Sequence, residues 1–226
     1  MPKRHYRVDP PTDATAEQLR AWNDLNYQLT ELTEALSNFR IDTGDTLEFL
    51  GDGTHDEDLR VPISAVNVGA SKAPGFDVFL GTTYAYHFSP SSGEFVYFVV
   101  QLPHSWKEGS SIEPHIHWAP SDATTGTVTW QLEYTWANNN DTFLAPSTIF
   151  VRQATKGKSH YMQKAEFPDL DGTGKKISSM IVCTLSRYAS DTLDTYAADA
   201  ALLELDFHYT MDTIGSYHHD HKRKGD

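Results

Sequence analysis

From Val61 to Tyr209 the chain is a succession of short apolar runs, each bounded by turn residues, with no helical stretch between them. Strands that follow one another without crossover helices pair antiparallel and close into a sandwich or barrel, so this pattern leaves few architectures open. The strands are expected at 61–68, 75–80, 84–88, 94–102, 112–118, 127–136, 148–153, 161–166, 177–186 and 200–209. Between them stand turn signals such as Ser89-Pro-Ser-Ser-Gly93, Ala137-Asn-Asn-Asn-Asp141 and Asp169-Leu-Asp-Gly-Thr-Gly174. Two runs alternate clearly. Val128, Trp130, Leu132, Tyr134 and Trp136 share one face, opposite Thr129, Gln131, Glu133 and Thr135. Leu203, Leu205, Phe207 and Tyr209 likewise alternate with Glu204, Asp206 and His208. A sheet with one buried side requires this pattern. The predicted fold is mainly β, a jelly-roll-like antiparallel β-sandwich preceded by an N-terminal amphipathic helix.

That helix is read from Trp22, Leu25, Leu29, Leu32, Leu36 and Phe39, which recur at alternating spacings of three and four. Thr12, Asp13 or Thr15 would cap it, with Glu17 in the first turn. Two uses fit so short a seam: packing on the domain body, or self-association at an oligomer axis. Residues 1–13 form a basic, proline-containing arm, in which Lys3, Arg4 and Arg7 are the candidate attachment residues. The implied organisation is arm and helix at 1–40, an acidic linker at 41–60, a β-sandwich at 61–216 and a polar tail at 217–226. In the linker, Asp52-Gly-Thr-His-Asp-Glu-Asp-Leu59 lacks the ligand order of an EF-hand loop.

Charge narrows the partners. The formal net charge of -13 disfavours nucleic acid and anionic membrane as partners, because both call for a basic face. No run approaches the ~18 apolar residues of a bilayer-spanning helix. The Met-Pro-Lys-Arg-His start lacks the apolar run of a signal peptide, so synthesis in a cytoplasm is expected. Cys183 is the single cysteine, which rules out an internal disulfide and a cysteine-based zinc site.

Histidines concentrate between Gln101 and Trp118, and strand alternation places Glu113, His115 and His117 on one side of one strand. A further strand could bring His208 beside them. Cupin-like jelly rolls use such a His-x-His pair with a carboxylate a few residues later, and no glutamate follows Trp118 at that spacing. These histidines are therefore expected to be structural, and no metal, cofactor or catalytic residue is assigned. Ser105 beside His104 gives no triad, since neighbouring strand residues point apart and no Gly-x-Ser-x-Gly elbow occurs. Trp130, Tyr134 and Trp136 share the face of Val128 and Leu132 and read as core. Trp106, in the loop Ser105-Trp-Lys-Glu-Gly109, is the candidate exposed ligand contact.

Four segments carry a resemblance: Leu102-Pro-His-Ser-Trp-Lys-Glu-Gly109, Glu113-Pro-His-Ile-His-Trp118, Leu132-Glu-Tyr-Thr-Trp136 and Asp171-Gly-Thr-Gly-Lys-Lys-Ile-Ser-Ser-Met180. The region from Asp56 to Gly215 that holds them resembles structural virion proteins of tailed bacteriophages. The resemblance implies a late, non-enzymatic structural protein, found in the virion after synthesis in the host cytoplasm. A homotrimeric capsid decoration or head-fibre component is the first expectation, with capsid or tail proteins as partners. The alternatives are a tail or adsorption-apparatus component that binds host glycan, and a cupin-like metal-dependent enzyme.

Overall fold

The computed structural model describes residues 9–41, 47–91, 93–216 and 218–222. Helix α1 (Ala16–Ala35) begins at Thr15, whose hydroxyl accepts from the Gln18 N–H while the Gln18 side chain accepts from the Thr15 N–H. This capping box selects one of the three expected caps. Leu36 closes the helix. The Asn38 carbonyl then accepts from the Leu50 N–H at 2.7 Å, and β1 (Phe39–Ile41) pairs with β2 (Leu47–Phe49). Phe39 therefore belongs to a strand rather than to the helical seam, a correction that follows from Ser37 and Asn38, which favour local backbone bonds over continued helix. Its ring meets Phe49 edge-on at 5.7 Å.

No residue of α1 is buried, and Leu25, Leu32 and Leu36 are 45%, 55% and 54% exposed. Trp22, Asn26, Leu29, Thr30 and Thr33 are half-buried, so the helix contributes no residue to the core of the described fold.

The β region contains β3 (His55–Pro62), β4 (Asn67–Val68), β5 (Gly75–Leu80), β6 (Thr83–Phe88), β7 (Phe95–Gln101) and β8 (Ile112–Pro120). It continues with β9 (Thr127–Ala137), β10 (Ser147–Ala154), β11 (Gln163–Glu166), β12 (Met180–Arg187) and β13 (Ala200–Met211). One sheet runs β10-β9-β12-β7-β4; the other runs β11-β8-β13-β6-β5, with β3 on the same side of β13 as β6. Every pairing is antiparallel. From β6 onward the chain wraps so that β13 returns between β6 and β8 while β12 returns between β7 and β9. This is the double Greek-key order of a jelly roll, so the predicted fold class is the observed one.

The two inner faces meet on aromatic rings. Trp130 lies 5.3 Å from Phe88 and 5.9 Å from Trp118 in edge-on pairs, and Phe98 meets Phe207 at 6.0 Å. Val128, Trp130, Leu132 and Trp136 are buried as their alternation requires. Cys183 lies in the same core, where burial pushes its thiol well above the ordinary cysteine range and leaves no thiolate to react.

The acidic segment read as a linker is largely strand. Asp56, Asp58 and Arg60 alternate outward along β3 and meet Thr210, His208 and Glu204 of β13. Charged side chains that pair across a ladder are compatible with a strand, which a composition-based reading overlooks. On the far side of the same sheet, the β5–β6 hairpin leaves Phe76, Val78 and Tyr84 between 50% and 55% exposed. Of the polar tail, Lys222 is buried against the body, where its ammonium reaches the Ser105 carbonyl at 3.1 Å and pairs with Asp212.

Candidate functional site

The outer face of the β11-β8-β13-β3 layer is built almost wholly from ionisable side chains. In β8, Ile112, Pro114, Ile116 and Trp118 turn inward, so Glu113, His115 and His117 turn outward. In β13 the same alternation is reset by a bulge: Leu202 pairs with Trp118 and Glu204 with His117, leaving Leu203 as an extra residue. Because of that one residue, Leu202 and Leu205 both face the core, and Glu204, Asp206 and His208 all face outward. Asp206 then lies directly opposite His115, and His208 opposite Glu113. β11 adds Lys164 beside His117 and Glu166 beside His115.

At the centre, the Asp206 Oδ2 atom lies 2.8 Å from His117 Nε2 and 3.4 Å from His115 Nε2. The two imidazoles meet edge-on, with ring centres 5.3 Å apart. His115 and Asp206 are buried, His117 half-buried. Burial holds the His115 imidazole below the ordinary histidine range, which favours its neutral form, although Asp206 opposes the shift. Burial likewise raises the Asp206 carboxyl, helped by the Glu204 charge and opposed by the two histidines.

The rim neutralises itself. Arg60 forks onto both Glu204 oxygens at 2.8 Å, Lys164 meets Glu166 at 2.7 Å, and His208 Nδ1 meets Asp58 Oδ1 at 2.7 Å. Through its hydrogen bond to Asp58, His208 is raised, and Asp58 is lowered in return. A cleft of about 220 Å³ opens next to His115, bordered by Glu113, Lys164, Glu166 and His208.

The sequence placed Glu113, His115 and His117 on one face, as observed, but did not show which carboxylate meets the two histidines. Glu113 faces His208 across the ladder, and His208 is engaged by Asp58. The third member is Asp206, whose outward direction was legible in the alternation of Leu205, Phe207 and Tyr209. Its position opposite His115 depends on strand order and on the bulge, and neither has a local sequence signal.

Trp106 is not an exposed contact. It is fully buried, bridges to Met211 and packs 5.7 Å from Trp136, because the loop that carries it is folded under the end of β13. A Cβ on Gly172 would stand 2.9 Å from its ring and 1.9 Å from the Ser110 carbonyl, so this contact needs glycine. Lys3, Arg4 and Arg7 lie outside the described residues. His104 takes Ser178 Oγ on one nitrogen at 2.9 Å and Ser216 Oγ on the other at 2.8 Å. A hydroxyl in the orienting position, where a triad has a carboxylate, makes this a structural bridge between loops.

The opposite sheet carries a second recess, of about 530 Å³, on its outer face. Gln131, Glu133, Thr184 and Ser186 form its polar floor, and Phe95 and Tyr188 form walls. Tyr188 is 40% exposed.

No protein-family model matches the chain, and no curated protein matches it. Among solved structures, the chain is similar to a family 35 carbohydrate binding module from Clostridium thermocellum, at 8% identity and TM-score 0.36, covering 67% of this chain and 97% of that one. It is also similar to a CBM22 xylan-binding domain from Paenibacillus barcinonensis, at 13% identity and TM-score 0.38, covering 67% and 93%. A CBM35 from Cellvibrio japonicus gives 15% identity and TM-score 0.36, covering 67% and 92%. At scores of this size what those modules bind does not transfer to this chain.

Proposed function

We propose that the chain is a non-enzymatic structural component of a tailed-phage virion, a capsid decoration or head-fibre protein that trimerises through its N-terminal helix. The observation that carries this reading is α1 itself, a 20-residue helix with none of its residues buried. In proteins most of a helix's stability comes from packing of its amphipathic face rather than from propensity. Trp22, Leu25, Leu29, Leu32 and Leu36 recur on one stripe, and a helix from a second and third copy would cover them as a coiled coil covers its seam.

Trimerisation also explains how weak contacts would hold. Each arm, with Lys3, Arg4 and Arg7, contributes a modest attachment to an acidic shell, and linking three arms raises the effective concentration of the remaining two. The chain's net charge of -13 keeps the outward body from binding nucleic acid and from aggregating with neighbours.

The second recess favours a second reading, a tail or adsorption component that binds host glycan between Phe95 and Tyr188 over a floor of hydrogen-bonding groups. One experiment separates the two. Deletion of residues 1–13 is expected to abolish binding to particles that lack the protein, while Tyr188→Ala leaves that binding intact. Normal particle binding by the deletion, together with loss of host-cell adsorption in Tyr188→Ala, would reverse the assignment in favour of the glycan reading.

A further inference from the structure

We propose that His115, His117 and Asp206 bind a divalent transition-metal ion of the zinc class, which clips β8 to β13 on the outer face of the jelly roll. The proposal is independent of where the protein sits on a virion. Its first support is the donor set. Two imidazole nitrogens and one carboxylate oxygen lie within 4.8 Å of one another. Bonds of ~2.0–2.2 Å in a tetrahedral shell place neighbouring donors ~3.4 Å apart. The 3.4 Å from Asp206 Oδ2 to His115 Nε2 already matches such an edge, and the 2.8 Å to His117 Nε2 needs only a small opening.

The second support is what surrounds Asp206. Its Oδ1 atom is buried and has no hydrogen-bond partner, a costly state for a carboxylate. The two cations on flanking strands are already engaged, Arg60 by Glu204 and Lys164 by Glu166. A histidine hydrogen bond alone would use one oxygen and leave the other bare. A bound cation would neutralise the whole carboxylate.

The third is placement. His115 and His117 come from one strand and Asp206 from its neighbour, both central to the sheet and fixed by the core residues on their inward faces. Donors on rigid strands hold their geometry better than donors on loops. The adjoining cleft gives a fourth ligand, water, a way in. Three protein donors and one water would complete a four-coordinate shell. Nitrogen donors in two of three places favour zinc over magnesium or calcium, which prefer an all-oxygen shell.

The test uses the full chain without an affinity tag, stripped with chelator and then titrated with zinc chloride or magnesium chloride. Calorimetry and elemental analysis after dialysis are expected to give about one zinc per chain and no magnesium. Tail histidines bind metal adventitiously in many chains, so the variant His218→Ala/His219→Ala/His221→Ala is the control and is expected to keep its zinc. His115→Ala/His117→Ala is expected to lose affinity at least ~100-fold, and Asp206→Asn, which preserves volume, at least ~10-fold. If the double histidine variant does not fold, Asp206→Asn reads the same loss. Absence of zinc from the wild-type chain, zinc lost from the tail variant, or unchanged affinity in Asp206→Asn would each overturn the proposal.

Discussion

Arg187 and Asp194 form a buried ion pair, with 0% and 1% of their side chains exposed. The guanidinium forks onto the carboxylate at 3.0 and 2.6 Å and gives its remaining donors to the Ala198, Tyr196 and Phe88 carbonyls. Asp194 also accepts from the Thr129 N–H at 2.9 Å. The pair fastens the segment between β12 and β13 to the sandwich. Asp194→Ala leaves a buried guanidinium unpaired, and a loss of about 3–5 kcal/mol in urea denaturation is expected; a loss below ~1 kcal/mol would show that the segment is held by other means. Nearby, Asp191 accepts from Arg152, the Leu193 N–H and Thr129, and these bonds hold its carboxyl below the ordinary range, the Arg152 bond foremost. A depressed folded value means the stabilisation is present above the unfolded carboxylate pKa and disappears as pH falls through the folded one. Asp191→Asn should therefore be less stable than wild type at neutral pH, and the gap should close in acid unfolding curves below pH ~4.

At the scale of elements, α1 contributes no buried residue to the core. Replacing Leu29 and Leu32 together by Asp puts charge into the stripe without touching any buried residue of the sheets. Light scattering should show the assembled mass fall to that of one chain, with the β-domain melting transition retained; an unchanged mass would remove the helix from the interface. The strands show where a sequence can and cannot be read. Alternation in Val128–Trp136 specified the buried face of β9 because each inward residue is large and apolar. It failed for β3, whose outward Asp56, Asp58 and Arg60 outnumber its buried residues, so composition resembled a linker. In β13 the expected alternation began at Leu203, yet Leu203 is the bulge residue and the inward series starts afresh at Leu205. The His115–His117 half of the candidate site is a local pattern and could be read directly. Its Asp206 half is 89 residues beyond His117, brought there by strand order. Trp106 shows the opposite limit: a loop between polar residues predicts exposure, and only the return of β13 covers the ring.

At the scale of the whole molecule, an acidic jelly roll carries an N-terminal helix with Leu25, Leu32 and Leu36 about half-exposed and an apolar hairpin half-exposed at Phe76, Val78 and Tyr84, exposed apolar surface of the kind that marks interaction sites. In the proposed function, self-association would cover the helix and its apolar stripe. The most direct measurement is an image reconstruction of the purified phage particle, paired with mass spectrometry of its proteins. Peptides of this chain should be found in the particle, with three jelly rolls around each helical stem, seated on the capsid shell. Particles that contain none of the chain, or that carry it as separate monomers, would contradict the proposed function.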